Sequence, residues 1–211
     1  KARNAIIETR KALARAQGTA YLEELKIRLA ELLSDEARAH YQVARAQEGV
    51  SDKPLHVPQV KTLKQKAINE YLEFLTAFPR STLAPRALFN MGQEYRELGD
   101  YDKMQSTFER LVEEHPKSIL SLEALLVLGD YAFDHGDLDQ AGVRFEKIIA
   151  HPRHKSTGFA HYKLGWVRMN QDRCKDAITS FESAIKETQK WLDGLKRDSK
   201  LNTIDSSLDV R

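Results

Sequence analysis

One cysteine, six prolines and no long apolar run mark this chain of 211 residues. A single Cys174 excludes an internal disulfide framework and any multi-cysteine metal site, and it assigns no redox compartment. Nowhere does an apolar stretch approach the ~18 residues that a membrane span needs. Charge of one sign is lacking too: 33 Lys and Arg stand against 31 Asp and Glu, a formal net charge of +2. Both signs are interspersed, so no basic face exists for nucleic acid, and nucleic acid is not an expected partner. The opening Lys1-Ala2-Arg3-Asn4 has neither an initiator Met nor an apolar signal core, which reads as a fragment or a processed protein. Missing targeting signals therefore say little about location. At 41% hydrophobic residues the chain can bury a real core, in one or two domains.

What is present is repetition. Leu88, Gly92, Tyr95, Gly99-Asp100-Tyr101, Met104, Phe108 and Pro116 recur as Leu125, Gly129, Gly136-Asp137-Leu138, Ala141, Phe145 and Pro152. A third copy has His161, Leu164-Gly165-Trp166, Ala177 and Phe181. The period is 37 and then 36, from Gly92 to Gly129 to Gly165 and again from Phe108 to Phe145 to Phe181. Ala67, Tyr71 and Pro79 form an earlier half copy. The small glycines let two helices of a hairpin approach, with Met104, Ala141 and Ala177 doing the reciprocal job. Phe108, Phe145 and Phe181 fill the gap toward the next repeat, and Pro116 and Pro152 end helices.

These residues resemble the tetratricopeptide repeat over roughly residues 60 to 190. The third copy departs from its pattern, with Arg168 where an aromatic is usual and Thr188-Gln189 where a proline would stand. The resemblance implies an all-α fold, a right-handed superhelix of antiparallel helix pairs preceded by long N-terminal helices. Connectors such as Pro79-Arg80-Ser81-Thr82-Leu83-Ala84-Pro85 are longer than in the consensus. They look like those of bacterial envelope proteins, including the lipoprotein of the outer-membrane barrel assembly machine and the Tol-Pal associated periplasmic protein. Leu25 to Leu33, followed by repeats, is also similar to the front of large periplasmic repeat proteins of gliding and predatory bacteria. A periplasmic or outer-membrane-associated location follows as an expectation, with cytoplasmic as the alternative and a lipoprotein anchor ahead of Lys1 as one route to the membrane.

At the front, Leu22, Leu25, Leu29 and Leu32 have helical spacing within a pattern over 20–47. Gly18-Thr19 separates it from a shorter helix containing Ile6, Ile7 and Leu13, with Thr19 as its cap. The organisation expected is an N-terminal helical section 1–48, a loop 49–58 and a repeat array 59–198. The array holds an incomplete or complete first repeat, then 84–117, 119–153 and 157–190. Residues 199–211 read as a polar tail or the start of a truncated helix.

Little here resembles catalysis. Around Pro152, His151, His154 and His161 form one cluster without a carboxylate or Cys at ligand spacing, so they read as solvated turn histidines. Cys174 lies between Arg173 and Lys175 but takes the place of Tyr101 and Leu138 in the repeat, and reads as a buried packing thiol. Glu94 to Glu97 and Arg110 to Glu114 read as solvated helix faces. No metal, cofactor or catalytic residue is assigned. What remains is a concave surface for a protein or peptide partner, which in the resembled family the first helix of each pair lines. Carried over, it comprises Phe89, Gln93 and Arg96, then Leu126, Asp130 and Phe133, then Tyr162, Trp166 and Met169, each set at i, i+4, i+7. The alternative is that Phe133, Tyr162 and Trp166 pack against adjacent helices. Two functional readings stay open: a non-enzymatic scaffold in an envelope machine (barrel assembly, wall remodelling, pilus or gliding motility), able to self-associate, or an interaction domain of a larger enzyme or cytoplasmic adaptor.

Overall fold

A computed structural model describes the backbone of residues 2–48, 57–151 and 154–208, and side chains as far as 197. The fold is all-α as expected, with nine helices and no strand among the described residues. They are α1 (Ala2–Arg15), α2 (Leu22–Glu48), α3 (Pro58–Ala77), α4 (Ala84–Leu98), α5 (Tyr101–Glu114), α6 (Ile119–Asp134), α7 (Leu138–Ile149), α8 (Thr157–Asn170) and α9 (Cys174–Leu208). Two compact units divide the chain, the first ending at Ser121 and the second beginning at Leu122, within α6.

The hairpin turns repeat one local solution. Gly99 closes α4 at φ 76° with its N–H on the carbonyls of Tyr95 and Arg96, and Asp100 N–H returns to Tyr95 O at 3.0 Å. This left-handed closure satisfies carbonyls the helix leaves over, and a residue without Cβ adopts it freely. Asp100 then caps α5 by accepting from the Lys103 N–H, and Asp137 caps α7 by accepting from Gln140, after Gly136 at φ 79°. At the third turn the left-handed residue is Asp172, φ 59°.

In the first unit, α2 packs on α1, α3 and α4, while α4 also packs on α3 and α5. Its core comprises Ile27, Leu33, Ile68, Phe74, Leu88 and Phe108, among others, all nearly or wholly inaccessible. Ion pairs tie these helices together. Arg86 on α4 donates from two nitrogens to the two oxygens of Glu31 on α2, both at 2.7 Å, a bidentate geometry that fixes direction as well as distance. Lys64 on α3 is buried and donates to Glu94 at 2.8 Å and to Glu97. The expectation of solvated faces therefore fails at Glu94, which the partner helix covers, and holds for the exposed Arg110–Glu114 pair at 2.9 Å. Burial of the Tyr71 hydroxyl, against a hydrogen bond with Asn90 that works the other way, pushes its pKa up.

The glycine-to-phenylalanine contact is the same in all three pairs. A Cβ at Gly92, Gly129 or Gly165 would sit 2.5, 2.6 or 2.5 Å from a ring carbon of Phe108, Phe145 or Phe181. Each ring thus lies on the glycine of its own pair, a correction to the expectation that it reaches toward the next repeat. The third copy's Arg168 stands where an aromatic is usual and donates to Ser180 Oγ at 2.6 Å and to the Asp176 carbonyl at 3.3 Å. Polar bonds to α9 there replace apolar packing.

Several boundaries differ from the sequence reading. Thr19 does not cap α2; its hydroxyl donates to Ala16 O at 2.7 Å and closes the end of α1. Pro58 starts α3, consistent with its fixed φ and missing N–H, with Val57 extended before it, while 49–56 of the expected loop and Pro152 lie outside the described residues. Toward the end, α9 runs as one helix to Leu208, through most of the segment read as a tail; 209–211 lie outside the description.

Candidate functional site

Helix α8 carries an apolar stripe that its own packing does not consume. Leu164 and Val167 point inward and are buried, whereas Phe159, Tyr162, Trp166 and Met169 remain 45%, 44%, 42% and 38% exposed. Residues three, four and seven apart share one helical face, so the four form a continuous surface. Their rings are held in place by one another. Trp166 meets Phe181 edge-on at 5.6 Å and Tyr162 at 6.2 Å, and Tyr162 lies 6.0 Å from both Phe159 and Phe181. The contacts of Trp166 and Phe181 are perpendicular or tilted and that of Phe159 with Tyr162 is stacked, arrangements that suit the ring quadrupoles and fix orientation without hiding the outer faces.

Lys163 extends this surface to α6. Its ammonium pairs with Asp130 at 2.8 Å and lies 5.8 Å from the Phe133 ring and 5.6 Å from the Phe159 ring. Those distances are within cation–π range, so one lysine links the carboxylate and two aromatic residues on neighbouring helices. Phe133, and Leu126 two turns before it on α6, are half-buried.

Of the nine groove positions expected from the sequence, Leu126, Asp130, Phe133, Tyr162, Trp166 and Met169 fall in the second unit. The other three belong to the first and have a different setting. Phe89 lies 5.7 Å from the Phe108 ring, and with Gln93 it lines a cleft of about 530 Å³ rimmed by Arg28, Glu31, Asp35, Arg38 and Glu97. Arg96 is exposed. The cleft is walled by charges that mostly pair with one another, whereas the α8 surface is aromatic.

Sequence reasoning missed Phe159, Lys163 and the ring-supporting role of Phe181. Phe159 was legible, since it continues the α8 stripe one turn before Tyr162. Lys163 was not, because its significance depends on Asp130 and Phe133 from another helix.

Two side chains read from the sequence lie elsewhere. Cys174 is exposed, not buried: it opens the first turn of α9, where Tyr101 and Leu138, its equivalents, are also only partly covered. His154 is not a solvated turn residue; its side chain is 5% accessible, its Nδ1 accepts the Ser156 N–H at 3.2 Å and its Nε2 lies 3.7 Å from Glu123. Burial lowers the His154 pKa against the pull of Glu123, and burial does the same at His161. His151 is exposed. Among the described residues no group of three or more His, Cys, Asp or Glu is arranged to hold a metal ion, and no helix is long and apolar enough to cross a membrane.

The family model described as Tetratricopeptide repeat matches residues 86–118 and 159–187. A solved structure of MamA is similar in fold, with 16% identity, 91% of each chain covered and a TM-score of 0.57. BtubC (BKLC) from P. vanneervenii is similar at 17% identity, 90% of this chain and 91% of that one, with a TM-score of 0.51. Identities this low speak to fold alone. No curated protein matches the chain. Two segments of the chain thus match the tetratricopeptide repeat, and its fold of helix pairs is that of these solved structures.

Proposed function

We propose that this chain is a non-enzymatic interaction scaffold that seats a peptide or protein segment on the aromatic face of α8, and that it serves a bacterial envelope machine. The observation that carries the binding reading is the exposed row Phe159, Tyr162, Trp166 and Met169, pre-ordered by Phe181. Aromatic side chains held in one orientation have little rotamer freedom to lose and desolvate a large area, so a few of them dominate typical interfaces. Lys163, its ammonium paired with Asp130 and near the Phe133 and Phe159 rings, leaves the surface suited to an apolar or aromatic segment. Phe133 and Leu126 continue the site onto α6, and Phe89, Gln93 and Arg96 supply a separate contact in the first unit, the first two in a cleft with a charged rim. The envelope location rests on the long connectors and on the resemblance to periplasmic repeat proteins.

Trp166→Ala tests the site. It should weaken partner binding by roughly 2 kcal/mol, about thirtyfold in Kd, while helicity is retained. A photocrosslinker at Met169 should label the same partner in the parent protein and lose it in the variant. Unfolding of the α8–α9 pair with binding intact per folded molecule would assign Trp166 to the core and remove the site. For location, the full-length gene should encode a signal peptide or a lipoprotein cysteine ahead of Lys1; an attached catalytic domain instead would refute the scaffold reading.

A further inference from the structure

Helix α9 carries a face that, by the symmetry of the repeats, is built for another helix. A shift of 36 residues, the Gly129-to-Gly165 spacing, places Gly142 and Ile149 of α7 on Ile178 and Ile185 of α9. On α7 that face is covered: a Cβ at Gly142 would lie 3.6 Å from Val167 and 3.9 Å from Leu164 of α8. On α9 it is open, with Ile178 55%, Ile185 73% and Leu192 45% exposed. After Ile149 the chain turns back as α8, but after Ile185 it continues as helix to Leu208. No described residue folds over the stripe.

The stripe has a seven-residue period, and so does its flank. Ile178, Ile185 and Leu192 are each seven apart, and Glu182, Gln189 and Lys196, all exposed, follow the same interval along one edge. A seven-residue apolar spacing is what keeps two helices in register over several turns, with the flanking charges setting direction. Here the flank is self-complementary in one direction only. In a parallel pair the charged edges of the two helices lie on opposite sides of the contact, and Glu182 meets no Lys196. In an antiparallel pair with the two-fold axis beside Gln189, Glu182 of each helix lies next to Lys196 of the other, because both are seven residues from Gln189. The same arrangement brings Ile185 of each, four residues before the axis, within one residue of the level of Leu192 of the other, three residues after it.

We infer that two copies of this chain associate through an antiparallel α9–α9 contact centred on Gln189. A two-fold contact of this kind uses the same patch twice and closes on itself, so it yields a dimer and not a filament. It rests on α9 alone and stands independently of the partner site on α8.

Light scattering after gel filtration and sedimentation equilibrium across the micromolar range test it. The parent chain should be a dimer, and Ile185→Glu should be a monomer of unchanged helicity. Glu182→Lys, which sets two lysines side by side, should weaken the dimer at least roughly tenfold. Combining it with Lys196→Glu should restore dimerisation, since the pair is only reversed. In a Cys174→Ser background, Gln189→Cys should crosslink to its own copy under mild oxidation. A monomeric parent, a dimer indifferent to Ile185→Glu, a double reversal that fails to restore, or no crosslink would each overturn the contact.

Discussion

Asp172 shows how much one backbone angle weighs. Gly99, Gly136 and Asp172 are 37 and 36 apart, and all three sit at positive φ at the end of the first helix of a pair. The closing bonds recur as well, since Arg173 N–H returns to Arg168 O at 2.9 Å as Asp137 does to Ala132 O. A Cβ in this conformation approaches the following carbonyl, which costs roughly 1–2 kcal/mol and is eased but not removed for Asp. Asp172→Gly should therefore stabilise the protein by about 0.5–1 kcal/mol, the extra entropy of a glycine in the unfolded chain offsetting part of the gain. The mirror change Gly136→Asp should destabilise it by a similar amount. Urea unfolding of the two variants checks both signs; a destabilised Asp172→Gly would mean that the aspartate side chain makes a capping bond worth more than the strain. This turn was legible in the sequence once the period was known, because the residue aligned with two glycines had to take their conformation. The same alignment placed Cys174 with Tyr101 and Leu138, but burial was inferred from their apolar character, and at the first position of the second helix none of the three is buried.

At the scale of elements, hydrophobic spacing located the helices, while the ties between them depended on charges that spacing does not rank. Glu94 looks from the sequence like any carboxylate on a solvated face, yet α3 covers it and places Lys64 at 2.8 Å. Nothing local separates Glu94 from the exposed Glu113 or Glu114, for the difference is made by a residue thirty positions away. Breaking a buried pair and replacing it are different operations. Glu94→Ala leaves the Lys64 ammonium with only the half-exposed Glu97, and should cost about 2 kcal/mol or more. Replacing both, as Lys64→Met with Glu94→Met, removes two desolvation penalties together and should fall within about 1 kcal/mol of the parent. Chemical denaturation of the single and double variants measures the contrast. A double variant as damaged as the single one would show that the pair itself, and not the stranded charge, holds α3 to α4. Helix ends were similarly half legible. Pro58 could be read either as a breaker or as a first residue, and only the start of α3 at that proline decides it.

For the whole molecule, periodicity is the feature that reached furthest from sequence to structure. A recurrence of 37 and 36 residues specified the helix pairs and their glycines, while the structure adds that each phenylalanine lies on the glycine of its own pair, in three different pairs. What periodicity could not supply was the division into two units or the contrast between a charged first unit and an aromatic second one, since both arise from residues that vary between copies. Repeat arrays draw stability mainly from each pair and its neighbours, so a local injury should remain local. Gly129→Leu places side-chain atoms where the Phe145 ring already lies and should cost roughly 1–3 kcal/mol, as overpacking does in other cores. The ring has nowhere to retreat, because Phe145 is fully buried. Hydrogen exchange resolved by peptide should then show faster opening in α6 and α7, while α2 and α3 keep the protection of the parent. Equal loss of protection throughout would mean that the chain unfolds as one cooperative body, and the nearest-neighbour description would have to be abandoned for this protein.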